Sequence, residues 1–77
     1  PPEDEIMDNA LKQELYDCCM KLKEPYRQVA LDYFYHEMDA GEMAEKSGKN
    51  LKTIQTQIYR AKAMLRKLYR KEDLLHG

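Results

Sequence analysis

Asn50–Tyr69, NLKTIQTQIYRAKAMLRKLY, is the stretch that decides the fold, because its apolar residues and its cations fall on different sides of one helix. At about 100° per residue, Ile54, Ile58, Ala61, Leu65 and Leu68 share a face, at the spacing of a helix packed on a small core. Lys52, Gln55, Thr56, Tyr59, Ala63 and Arg66 share the opposite face. Asn50 stands just before the periodic run, where its side-chain oxygen can accept a backbone N–H and cap the helix start. From Lys49 to Lys71 there are eight Lys or Arg and no Asp or Glu. A face that is merely solvated mixes the signs, so this one points to an anionic partner.

Upstream of this helix the chain divides into three shorter helical segments. Ile6, Ala10, Leu11, Leu15, Cys18 and Leu22 recur at three- and four-residue steps, which predicts a first helix ending near Lys23. Pro25 stops that helix and opens a second, in which Tyr26, Val29, Ala30, Tyr33 and Phe34 form an amphipathic pattern reaching Tyr35 or His36, with the aromatics expected in the core. After a break at His36-Glu37-Met38, Asp39 followed three residues later by Glu42 has the pattern of a capping box, and predicts a short helix from Ala40 to Ser47. Gly48 can take the left-handed conformation that ends it, leaving Gly48-Lys49-Asn50 as a tight turn. Short helix, three-residue turn and long basic helix make a helix-turn-helix, whose second helix enters the DNA major groove. The fold class expected is therefore all-α: a four-helix domain with a helix-turn-helix and a long C-terminal recognition helix.

Seventy-seven residues suffice for one small domain, expected over residues 6–77 behind an acidic linker at residues 1–5. The formal net charge of −1 conceals an asymmetry: Pro1 to Glu24 carries seven acids against three lysines, whereas the long helix is basic. Such a charge dipole suits two partners of different sign, or an acidic end held clear of DNA. Cys18 and Cys19, the only cysteines, point about 100° apart on a helix and cannot staple it; Cys18 is expected in the core and Cys19 partly exposed. With two scattered histidines and no C-x-x-C, no metal site, cofactor or catalytic centre is expected. Met43, flanked by the motif, reads as core, and His36 as a turn or capping residue. No apolar run reaches membrane-spanning length and no signal-peptide pattern is present, so a cytoplasmic location is expected. The chain starts at Pro1 without an initiator Met, which suggests a piece of a longer protein.

Leu22 to Leu68 resembles region 4 of the sigma-70 superfamily, in particular that of the extracytoplasmic-function group of bacterial sigma factors. The resemblance rests on Lys23-Glu24-Pro25-Tyr26-Arg27-Gln28-Val29 opening the second helix, Glu42-Met43-Ala44-Glu45 in the short helix, Gly48 in the turn, and Thr53-Ile54 with Arg60-Ala61-Lys62 in the long helix. It implies binding to the upstream (−35) promoter element as double-stranded DNA, docking on RNA polymerase core through the β-subunit flap, and an anti-sigma factor competing for that docking surface. The early recognition-helix positions that the resemblance brings to DNA fall on Gln55, Thr56, Tyr59 and Arg60. Some positions depart from the pattern. Glu37 and Lys52 stand where Gly is common, Gln55 and Gln57 where basic residues are common, and Lys46, Ser47 and Lys49 where apolar residues are usual. The short helix should therefore be loosely packed, with Leu51 compensating in part.

A DNA-binding set of Lys49, Lys52, Thr53, Gln55, Thr56, Tyr59, Arg60 and Lys62 follows. Gln55 can bond adenine at N6 and N7, Thr56 offers a hydroxyl and a methyl, and Tyr59 can pack on a thymine methyl or bond a phosphate. Lys49, Lys52, Arg60 and Lys62 suit phosphate contacts, the larger share of hydrogen bonds in such interfaces. Arg66, Lys67, Arg70 and Lys71 lie toward the far end of a helix roughly 30 Å long, where cations favour the helix dipole. Two other readings of the same residues are a stand-alone sigma-like or response-regulator-type helix-turn-helix regulator, and a protein-interaction module whose basic face is only solvated.

Overall fold

The computed structural model describes residues 2–76, with the side chains of residues 11–69. Four helices follow in order, α1 (Pro2–Met20), α2 (Tyr26–Ala30), α3 (Ala40–Ser47) and α4 (Leu51–His76), and α2 runs on directly into a π-helical turn at Leu31–Tyr35. No strand occurs among the described residues, and the all-α architecture with a helix-turn-helix is the one expected. The expectations on the side chains of Ile6, Ala10, Arg70 and Lys71 lie outside the described residues.

The first helix differs from its sequence reading at both ends. It is helical from Pro2, through the acidic lead-in, and Pro suits a first helical position because its missing N–H would have no partner there. It stops at Met20 rather than near Lys23, where the chain tightens: the Lys21 and Leu22 N–H groups donate to the Cys18 and Cys19 carbonyls at 3.1 Å. Arg27 fastens the following loop, its Nε donating to the Leu22 carbonyl at 3.0 Å while its guanidinium lies 3.9 Å from the Glu24 carboxylate.

The core is drawn from every helix: Cys18, Cys19 and Leu22 from α1 and its end, Val29 and Ala30 from α2, Met43 from α3, and Ile54, Ala61 and Leu65 from α4. Ile58 and Leu68 of the predicted stripe are half-buried against it. Two expectations are corrected here. Cys19 is wholly buried, and desolvation, with Cys18 beside it, pushes its thiol up to about 11, so it serves as a small apolar side chain. The aromatics of α2 and the π-helical turn after it do not form the centre: Tyr26 and Phe34 pack on its margin and Tyr33 is exposed. Small residues such as Ala30 and Ala61 fill the centre instead, and they let helices approach closely.

In the π-helical turn the His36 N–H donates five residues back, to the Leu31 carbonyl, at 2.8 Å. The widened turn carries Asp32 inward. Its carboxylate accepts from Gln28 Nε2 at 2.9 Å and from Lys46 Nζ of α3 at 3.3 Å, and its carbonyl accepts the Met38 N–H at 2.9 Å. Lys46 is thus no defect in an apolar pattern but the partner of a buried acid. Glu37 then takes a positive φ of 57°, the conformation in which glycine is at ease, which accounts physically for the Gly common there in the family that the chain resembles.

The helix-turn-helix itself is held by local caps at the residues expected. Asp39 Oδ1 accepts the Glu42 N–H at 2.8 Å. That bond holds the Asp39 carboxyl below its ordinary value, while the hydrogen bond between the two side chains raises Glu42. Gly48, at φ 73°, ends α3, its N–H donating to the Ala44 carbonyl at 2.9 Å. Asn50 Oδ1 accepts the Thr53 N–H at 2.8 Å and starts α4. Leu51, expected to help pack α3, is 46% exposed; the stripe packed on the core begins one turn later, at Ile54.

Candidate nucleic-acid interface

The capped start of α4 fixes the helix in rotation as well as position. With Ile54, Ala61 and Leu65 turned inward, Lys52, Gln55, Thr56, Tyr59, Ala63 and Arg66 are exposed on the other side, as are Lys49, Arg60 and Lys62. Thr53 is half-buried beneath the Asn50 cap. Tyr59 is 76% exposed, a large apolar surface that stability does not require. The Thr56 hydroxyl donates back to the Lys52 carbonyl at 3.0 Å, which commits its proton to the helix and leaves its lone pairs and methyl for a partner.

Four residues of the expected set come together in one groove. Lys52, Thr53, Thr56 and Arg60 line a depression of about 270 Å³ with Asn50, Gln57 and, from α2, Tyr26. Arg60 Nη1 donates to the Tyr26 hydroxyl across it at 3.4 Å. The groove lining contains two cations and no carboxylate. Lys49 lines a second depression, of about 210 Å³, with Gln28, Asp32 and Met43 among others. Gln55, Tyr59 and Lys62 line neither groove and stand on the outer surface of α4.

Sequence reasoning missed two residues of this surface. Periodicity assigned Tyr26 to the core, and its ring does pack there; only the docking of α2 on α4 carries its hydroxyl to Arg60. Gln57 lines both grooves, with Oε1 buried and unpartnered among the described residues. Its place beside the stripe residue Ile58 was the one available signal.

Residues 12–65 match the family described as Sigma-70, region 4. The chain belongs to the sigma-70 region 4 family. Over 67 residues, 87% of its length, it is 30% identical to RNA polymerase sigma factor SigV of Bacillus subtilis (strain 168), and it spans 40% of that relative. No solved structure matches it. The sigma-70 region 4 family, here with similarity to extracytoplasmic-function sigma factors, is one of DNA-binding, non-enzymatic domains. Among its described residues no group of three or more His, Cys, Asp or Glu could hold a metal ion, and no helix is long and apolar enough to cross a membrane.

Proposed function

We propose that this region 4 domain recognises the upstream (−35) promoter element for a bacterial RNA polymerase, directing transcription initiation in the cytoplasm. The observation that carries the reading is the exposed face of α4 from residue 51 to residue 69, a stretch without Asp or Glu, set by the Gly48 turn and the Asn50 cap. In it Gln55, Thr56 and Tyr59 reach base edges in the major groove, while Lys49, Lys52, Arg60 and Lys62 hold phosphates and Thr53 stays at the helix start beside them. Leu11, Tyr16, Met20 and Tyr33, exposed on elements other than α4, supply apolar surface for docking on the β-subunit flap, where an anti-sigma protein competes.

One helix-turn-helix makes few contacts, so the isolated chain binds promoter duplex weakly and polymerase supplies the remainder through effective concentration. Fluorescence anisotropy on matched and scrambled duplexes at two salt concentrations tests the reading. Gln55→Ala is expected to cost about 1–3 kcal/mol on the matched duplex and much less on the scrambled one. Lys52→Ala should weaken both alike and lower the salt slope by about one. A wild-type affinity indifferent to salt would sink DNA recognition in favour of a protein-interaction role.

A further inference from the structure

We propose that Tyr26 is a positioning residue for DNA binding, acting through Arg60; the purpose given to the pair rests on the promoter-recognition reading above. Tyr26 belongs to α2, outside the helix-turn-helix, and nothing in the DNA-binding set derived from the long helix includes it. Its ring is packed against the core while its hydroxyl meets Arg60 Nη1 at 3.4 Å. The two parts of the side chain do different things. A core-packed aromatic has only two rotatable bonds and both are fixed, so the phenol oxygen is a rigid point on the surface. Arg60, exposed and on a long flexible stem, otherwise loses side-chain freedom whenever it grips a phosphate.

The geometry of the bond supports the role. Arg60 donates and the phenol oxygen accepts, so the hydroxyl proton of Tyr26 stays available and the guanidinium keeps its other N–H groups. Both face a groove whose remaining lining, Asn50, Lys52, Thr53, Thr56 and Gln57, has no acid to compete for them. Restrained in this way, Arg60 presents its fork to a backbone phosphate at the edge of the duplex, at a smaller entropic cost than a free arginine pays. Arg60 makes no salt bridge to a carboxylate among the described residues, so a neutral phenol, which does not cancel its charge, is what holds it.

Tyr26→Phe keeps the ring and removes the hydroxyl. On promoter duplex it should weaken binding about two- to tenfold, the worth of one hydrogen bond, with the matched-to-scrambled ratio unchanged. Placed on an Arg60→Ala background, the same substitution should cost nothing further, because its effect passes through the guanidinium. Nitrogen NMR of the arginine guanidinium groups reads the pair without DNA: Arg60 should show restrained rotation in the wild type and free averaging in Tyr26→Phe. An equal loss of affinity on both backgrounds, or an Arg60 signal the same in both proteins, would overturn the proposal. Absence of all duplex binding by the wild type would instead overturn the promoter reading, and the guanidinium signal separates that failure from a failure of the pair.

Discussion

The segment Asp39–Ile54 and the segment Tyr26–Met38 are neighbours in the fold, yet they are held by different kinds of force. The first is organised by bonds between residues three or four apart: Asp39 to Glu42, Gly48 to Ala44 and Asn50 to Thr53. The second is organised by Asp32, whose buried carboxylate is met by Lys46 from fourteen residues away. Local caps cost little to form and can be read from short patterns. A long-range pair around a widened turn has no such pattern, and it sets where α3 stands relative to α2.

The largest effect is expected where the two segments share their core. Ile54 is 2% exposed and lies at the end of the capped segment, packed with Val29 and Met43 in one cluster. Ile54→Ala should cost about 2–5 kcal/mol, a large part of the stability of so small a domain. Ile58, half-buried on the same stripe, should cost less. Chemical denaturation of both variants checks the order, and an Ile58→Ala loss exceeding that of Ile54→Ala would show that the helix is rotated from the phase described here.

A sharper test sets the long-range pair against a local cap. Lys46→Ala leaves the Asp32 carboxylate, 8% exposed, with Gln28 alone, and should cost about 1–3 kcal/mol. The exposed half of Lys46 keeps that figure below the cost of breaking a fully buried pair. Adding Asp32→Asn should recover part of the loss, since an amide buried there carries no charge. Asn50→Ala removes the α4 cap and should cost about 1 kcal/mol, confined to the helix start. If Asn50→Ala proved the more costly of the two, the local bonds and not the ion pair would be what holds this half of the domain. The Asp39 cap adds a pH signature. Its lowered pKa means that the cap is fully present at neutral pH and is lost as pH falls through the folded-state value, whereas the raised Glu42 favours its protonated form and works the other way first. The Glu42 amide chemical shift should follow both steps, and a shift that is flat in acid would contradict the bond.

This division also decides how much could be read before the structure. The bounds of α3, its cap and its end at Gly48, and the inward stripe of α4 were legible because each depends on spacing along one helix. The basic exposed face followed from the same phase. What stayed hidden needed two segments to meet. Lys46 looked like an apolar position filled by a lysine, Asp32 carried no sign of burial, and Tyr26 looked like plain core. For Asp32 the reason is the π-helical turn, since a five-residue hydrogen bond shifts the phase within that turn and leaves no mark in a 3.6-residue pattern; Lys46 and Tyr26 show their roles only once α3 and α4 dock on that segment.

The smallest effects come from the two positive-φ positions, one in each segment, and they should have opposite signs. Gly48 sits at φ 73° in the capped segment, and a Cβ there would meet nothing within 4 Å, so Gly48→Ala carries only the left-handed strain of an L residue, about 1–2 kcal/mol. That strain outweighs the lower entropy of the unfolded alanine chain, leaving a net loss of about 1 kcal/mol. Glu37 sits at φ 57° in the other segment and already bears the same strain. Glu37→Gly should therefore gain up to about 1 kcal/mol, with Glu37→Ala close to neutral because alanine is no more at ease in that conformation. For a domain of this size each kcal/mol moves the thermal midpoint by roughly 4–8 °C, so calorimetry resolves the pair. A Glu37→Gly variant no more stable than Glu37→Ala would mean that the turn after the π-helical segment is not strained, and that Asp32 and Lys46 hold the chain in a conformation that its own backbone accepts.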